Sequence, residues 1–135
     1  MDLKDLVSMS TVKAINAKKT LGFGAFHSGI QIWHKEISYG IELGIHVLLP
    51  RTSPSGQFRE TIYLGETNKS VQDVIQTLED LMNSRFQTSN YSVLKNNCND
   101  FSNALAQKLV GVGIPSYVNK IAHFMKYCTT LIPEE

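Results

Sequence analysis

Two kinds of residue in this 135-residue chain could do nucleophilic chemistry: a cysteine inside the polar run Lys95-Asn96-Asn97-Cys98-Asn99-Asp100-Phe101-Ser102-Asn103, and a set of four histidines. A cysteine attacks as the thiolate, so it needs surroundings that favour the charged form near neutral pH. Asn96 and Asn97 are helix-capping types, and Phe101, Ala104, Leu105, Lys108 and Leu109 keep one helical face largely apolar until Gly111. Cys98 is therefore predicted in the first turn of a helix, where unpaired amides and the positive dipole end lower a thiol pKa. The competing reading is a small buried residue packed beside Phe101. Asparagines on both sides weigh against it, because packing alone has no use for them.

A thiol nucleophile needs a base that takes its proton and later protonates a leaving amine, and histidine suits both steps. His123 lies among apolar neighbours of a final helical stretch, and His34 falls in a predicted turn. His46 alternates with apolar residues in a strand, and His27 begins the clearest strand of the chain, with glycines at 22, 24 and 29 around it. Chemistry alone ranks His27 only slightly above His46. The histidines have no tight ligand spacing, so no metal is expected, and no motif calls for a cofactor. The second cysteine, Cys128, sits in the apolar stretch Phe124-Met125-Lys126-Tyr127 without an activating neighbour. Both thiols are expected to be reduced, since nothing marks the chain for an oxidising compartment.

These residues must be positioned by elements that can be read in outline. Residues 1–20 hold Leu3, Leu6, Val7, Val12 and Ile15, a loose pattern that fits a weak helix better than a strand. After Leu21-Gly22-Phe23-Gly24-Ala25, a strand begins with Phe26, Ser28, Ile30 and Ile32 on one side. A turn at His34-Lys35 would lead into a second strand, Glu36–Ile41, and that register would set Glu42 across from His27. Further strands are predicted at Ile45–Leu49 and Phe58–Leu64, on either side of a proline- and serine-rich loop from Pro50 to Gly56. Ser70 and Asp73 form a capping box for a helix whose apolar stripe is Val71, Val74, Ile75, Leu78, Leu81, Met82 and Phe86. Tyr91–Leu94 is read as an extended lead into the Cys98 helix. Ile114-Pro115-Ser116-Tyr117 then breaks the chain before a last helix over about 118–127.

Composition bounds the rest. The chain is 42% hydrophobic and 19% charged, with a net charge of +1, which fits one soluble domain over 1–135 and gives no electrostatic case for nucleic acid. No apolar run approaches the roughly 18 residues of a spanning helix, so no integral membrane segment is expected. Residues 1–5 carry charge of both signs and lack the apolar stretch of a secretory signal. The expected location is cytoplasmic, with the nucleus open as well.

Four blocks taken together are similar to a known family. Gly24-Ala25-Phe26-His27-Ser28-Gly29-Ile30, Glu36-Ile37-Ser38-Tyr39-Gly40, Asn97-Cys98-Asn99-Asp100-Phe101-Ser102 and Ile114-Pro115-Ser116-Tyr117 resemble, in that order, the PPPDE or DeSI family of cysteine isopeptidases. The resemblance covers about Gly22 to Tyr127, and its histidine and cysteine motifs stand 71 residues apart (98 − 27). It implies an α+β, circularly permuted papain-like fold, with a small, mainly antiparallel sheet or barrel packed against helices. It also implies His27 and Cys98 as a catalytic dyad, and ubiquitin or SUMO conjugates as partners. The family usually opens with an apolar strand, and residues 1–20 look atypical in that respect.

On this reading Cys98 attacks the carbonyl that joins a modifier's C-terminal glycine to a lysine amine, and His27 protonates the departing amine. The backbone amide of Cys98 would meet the oxyanion, with Asn97 as a candidate second donor. Glu42 is the register-based candidate to orient the imidazole, and Gly22, Gly24 and Gly29 could line a slot for a Gly-Gly tail. Rival readings are a protein S-acyl thioesterase, a lipid-acting acyl hydrolase related to lecithin retinol acyltransferase, and a non-catalytic module that binds a ubiquitin-like modifier. The lipid enzymes carry a second histidine 12 residues after the first, where this chain has Tyr39.

Overall fold

A computed structural model describes residues 6–14, 26–50, 56–92, 95–115 and 118, and only the backbone of residues 10–14, 26–27 and 56–60. Its centre is a hairpin of β2 (Phe26–Ile32) and β3 (Lys35–Gly40). Trp33 and His34 join the strands with φ of 51° and 60°, the doubly positive geometry of a two-residue turn whose twist matches the strands it connects. Ile30 pairs with Ile37, Gln31 with Glu36 and Ile32 with Lys35. The turn thus lies one residue earlier than the His34-Lys35 expected from the sequence, and paired residues sum to 67, two less than predicted.

The larger departure is at the N-terminus. Residues expected to form a weak helix include β1 (Leu6–Ala14), a strand between β2 and β5 (Gly56–Glu66). Val7 and Met9 are fully buried with half-exposed Ser8 between them, which is the period of a strand with one covered face. Antiparallel partners on both sides satisfy its backbone, from Ser8 opposite Gln31 to Lys13 opposite Phe26 in β2, and along its whole length in β5. With β4 (Gly44–Leu48) on β3, the sheet runs β4-β3-β2-β1-β5. All neighbours are antiparallel, and among the described residues the sheet is open, so of the two expected forms they make the sheet and not the barrel.

The two helices predicted from capping residues form where their caps indicate. Helix α1 (Val71–Asn83) starts at Ser70, whose hydroxyl accepts from the Asp73 amide at 3.1 Å. It buries a narrower stripe than its sequence suggests: Val74, Leu81 and the following Phe86 are buried, whereas Val71, Ile75 and Met82 remain exposed. Helix α2 (Cys98–Val110) ends at Gly111, whose φ of 77° is the left-handed stop that a residue without Cβ takes easily. It lies across β2 and β3, and Phe101, Leu105 and Leu109 close over Met9, Ile30, Ile37 and Tyr39 to make the core. The α+β class expected from the sequence is the one observed. No helix among the described residues is long and apolar enough to cross a membrane. The expected last helix, with His123 and Cys128, and most of the 50–56 loop lie outside the described residues.

Candidate active site

The start of α2 is built by its own polar residues. The Asn97 side-chain oxygen accepts from the amides of Asn99 at 2.9 Å and Asp100 at 3.2 Å, and an Asp100 carboxylate oxygen accepts from the Asn97 amide at 2.9 Å. This reciprocal cap satisfies donors that a bare helix end would leave open, and it fixes Cys98 as the first helical residue. Cys98 is in no disulfide and is 5% exposed. Asn97 Oδ1 is thus engaged by the helix it caps.

The chain approaching Cys98 is strapped in place. Ser92 and Asn96 exchange both backbone hydrogen bonds at 3.0 Å, closing a tight loop. Arg85 Nε donates to Asn96 Oδ1 at 2.7 Å, and Asn96 Nδ2 donates back to the Arg85 carbonyl at 2.9 Å. The Arg85 guanidinium also stands 3.7 Å from Asp100, a half-exposed ion pair that contributes little by itself but completes a clamp around the helix start.

Behind the strap lies an aromatic cluster. The Tyr39 ring centre is 5.2 Å from Phe86, 5.1 Å from Tyr91 and 5.8 Å from Phe101, and the Tyr39 hydroxyl donates to the Gln87 carbonyl at 2.6 Å. Tyr91, at the edge of this cluster, neighbours Cys98. Burial, followed by the neighbouring Cys98, pushes the Tyr91 hydroxyl well above the ordinary tyrosine range, so it is a neutral donor at physiological pH.

The β2 side is joined to α2 by a buried polar cluster. Ser28 Oγ lies 2.7 Å from Asn99 Oδ1 and 2.9 Å from Ser102 Oγ. A hydroxyl has one proton to give, so Ser28 donates to Asn99 and Ser102 donates to Ser28. Ser38 of β3 donates to the Ser28 carbonyl at 3.2 Å. Ser28 follows His27, and Asn99 follows Cys98. The backbone of His27 lies in β2 opposite Val12 of β1.

The other predicted site residues fare differently. The side chain of His27, and all of Gly22 and Gly24, lie outside the described residues. Glu42 is exposed in the turn after β3 with a φ of 68°, beyond the last paired residue of the β2–β3 hairpin, so the register that singled it out does not form. Gly29 is buried beneath the Glu36 side chain, where a Cβ would meet Glu36 Cγ at 2.8 Å. Its lack of a side chain is explained by that packing. His46 is on edge strand β4, separated from β2 by β3, with Nδ1 2.9 Å from the Gly44 carbonyl, and His34 is exposed in the hairpin turn. Among the described residues no group of three or more His, Cys, Asp or Glu side chains could hold a metal ion.

Sequence reasoning missed Tyr91 and the Ser28–Asn99–Ser102 cluster. The signal for the cluster was available: Ser28 and Ser102 are hydroxyl residues on otherwise apolar, core-facing surfaces of β2 and α2, and buried hydroxyls pair. Tyr91 gave no comparable local sign, since the loop that brings it to Cys98 is closed by Arg85 and Asn96.

Residues 2–135 match the PPPDE putative peptidase domain. A DeSI-like protein of Arabidopsis thaliana is 32% identical over 117 residues, covering 84% of this chain and 52% of that protein. A desumoylating isopeptidase 1 homolog of Caenorhabditis elegans is 32% identical over 129 residues, covering 85% and 37%. Desumoylating isopeptidase 1 of Xenopus laevis is 35% identical over 98 residues, covering 73% and 57%. The chain therefore spans about half the length, or less, of these relatives. The domain match begins at residue 2, so the N-terminal segment that looks atypical in sequence lies within the matched domain, and β1 gives it the opening strand it seemed to lack. From the nearly full-length match and these relatives, the chain belongs to the PPPDE peptidase family.

Proposed function

We propose that this domain is a cysteine isopeptidase that removes SUMO, or the related modifier ubiquitin, from lysine side chains, with Cys98 as nucleophile and His27 as general base and acid. One observation carries the reading. The capped helix start that holds Cys98 is tied through Asn99 to Ser28, and Ser28 is the neighbour of His27 in β2. The printed names of the Caenorhabditis and Xenopus relatives support SUMO as the modifier.

In the reaction so proposed, the Cys98 thiolate, its proton held by His27, attacks the carbonyl carbon of the isopeptide bond. A carbon–sulfur bond forms and the carbonyl electron pair moves onto oxygen, which the backbone amide at the helix start stabilises. The intermediate collapses with cleavage of the carbon–nitrogen bond, and the imidazolium delivers its proton to the leaving lysine amine. Water, deprotonated by His27, then attacks the thioester, releasing the modifier's carboxylate and restoring the dyad.

The lipid-acting alternative is disfavoured by Tyr39, which occupies the position of the second histidine in those enzymes. Tyr39 is fully buried and bonded to the Gln87 carbonyl, and so serves the core. The reading is tested by incubating the domain with a SUMO-conjugated and a ubiquitin-conjugated lysine substrate. Release of free modifier, abolished in Cys98→Ala and in His27→Ala, is expected. Tight binding of modifier without release by the unmodified domain would instead identify a binding module.

A further inference from the structure

We infer that Arg85 is a positioning residue for the proposed nucleophile. By gripping the residues two places before and two places after Cys98, it holds the helix start in its reactive geometry and keeps a positive charge beside it. The inference rests on the thiol chemistry proposed above and concerns how that site is set.

The grip begins where α1 ends. Arg85 follows Ser84, the C-terminal cap of that helix, and its guanidinium lies 5.1 Å from the centre of the Phe86 ring. Phe86 is 1% exposed, so this cation–π contact directs the arginine over a fixed surface. Two residues are then within its reach. Arg85 Nε donates to Asn96 Oδ1 at 2.7 Å while the Arg85 carbonyl accepts from Asn96 Nδ2 at 2.9 Å, so one residue holds both ends of that amide. The far end of the guanidinium stands 3.7 Å from Asp100 Oδ1. Asn90 reinforces the loop, its Nδ2 donating to the Arg85 carbonyl and its own carbonyl accepting from Asn96 Nδ2, both at 3.3 Å.

These contacts converge on the cysteine. Asn96 exchanges both backbone hydrogen bonds with Ser92, so holding its side chain fixes the path of the chain into Asn97. Asp100 Oδ2 accepts from the Asn97 amide at 2.9 Å, so the carboxylate that faces Arg85 is also half of the reciprocal cap. Cys98 lies midway between these anchors, and its own amide is the one proposed to meet the oxyanion. Each anchor is a half-exposed contact of small energy, and its importance is geometric, because all of them fix the same turn of backbone. The charge acts in the same direction. A carboxylate in the first turn suits the helix but disfavours a thiolate in that turn, and the guanidinium offsets it. The other titratable or charged side chains around the helix start are Tyr39, Tyr91 and Lys95, in addition to the proposed base His27.

The test is Arg85→Met, which keeps the length of the side chain and removes its donors and charge. The pH midpoint of Cys98 alkylation by iodoacetamide, read by peptide mapping, should rise by roughly half a pH unit, the scale of a charge contact at a half-exposed site. Most of that difference should vanish in molar salt, which a purely structural tie would not show. On SUMO conjugates kcat should fall at least about tenfold with KM nearly unchanged, the mark of a misplaced reacting group. Arg85→Lys, which restores the charge without the fork, should bring the midpoint back and leave kcat low. Lys95→Gln removes an equal charge from the same loop while the Arg85 contacts stay, and should keep kcat within about twofold of the parent. If Arg85→Met is poorly folded by circular dichroism, citrulline at position 85, which keeps the Nε donor and removes the charge, should still raise the midpoint. An unmoved midpoint in either folded protein overturns the inference, whether or not conjugates are cleaved, and so does a parental kcat in folded Arg85→Met. A midpoint that moves as expected in a domain that cleaves no conjugate would sustain the grip on Cys98 and sink the isopeptidase reading separately.

Discussion

The Ser28 hydroxyl donates to Asn99 Oδ1 at 2.7 Å across 71 residues of chain, joining the strand that carries His27 to the helix that carries Cys98. Both partners are buried, so breaking the bond strands a polar group away from water. Ser28→Ala is expected to cost about 1–3 kcal/mol of stability in urea unfolding. If this bond also sets the spacing of the two catalytic elements, kcat/KM should fall even where the variant is fully folded. Ser28→Thr, which keeps the hydroxyl but adds a methyl group to a filled site, should retain more activity than the alanine variant.

Asn97 separates capping from chemistry. Asn97→Asp keeps an oxygen for the Asn99 and Asp100 amides and should leave the melting temperature nearly unchanged, whereas Asn97→Ala should cost about 1 kcal/mol. If Asn97 supplies the second oxyanion donor through its Nδ2, the aspartate variant, which lacks that group, should lose kcat by roughly 100-fold while staying folded, whereas a kcat within about tenfold of the parent would leave Asn97 as a cap alone.

Gly29 is predicted to be a packing position. Adding a Cβ would press on Glu36 Cγ at 2.8 Å, so Gly29→Ala should destabilise the domain by about 1–3 kcal/mol, the range for overfilling a close-packed site. Glu36→Ala in the same molecule should recover part of that loss, and a double-mutant cycle on melting temperature measures the recovery. A folded Gly29→Ala variant with a raised KM alone would return Gly29 to the substrate slot.

Alkaline stability follows from the tyrosines. Burial raises both Tyr39 and Tyr91 above the ordinary value of 10.0. A group raised in the folded state contributes stability that is complete below its unfolded pKa and is lost as pH climbs toward the folded one. The urea midpoint should therefore be insensitive to these groups below about pH 10 and decline above it. Tyr91→Phe should flatten that decline.

How much of this could be read from the sequence varies by element. The two helices were legible because each begins with a capping box, Ser70 with Asp73 and Asn97 with Asp100, a signal confined to four residues. The β2–β3 hairpin was legible in its alternation but not in its turn, because Trp33 and His34 at positive φ are not the residue types that turn statistics favour. Strand β1 was obscured for a different reason. Its described buried side chains are only Val7 and Met9, separated by a serine, and its stability comes from partners on both sides that are distant in sequence. The same distance dependence hid Tyr91, whose approach to Cys98 depends on Arg85 bonding to Asn96.

The central claim is that Cys98 is a nucleophile activated by His27, and it is met most directly by reaction with a SUMO probe bearing an electrophile at its C-terminus, read by intact mass and peptide mapping. The account predicts a single covalent adduct on Cys98, absent in Cys98→Ala and slowed by at least about 100-fold in folded His27→Ala, the scale of general-base assistance. An adduct on Cys128, or labelling of Cys98 at the parent rate in His27→Ala, would contradict it.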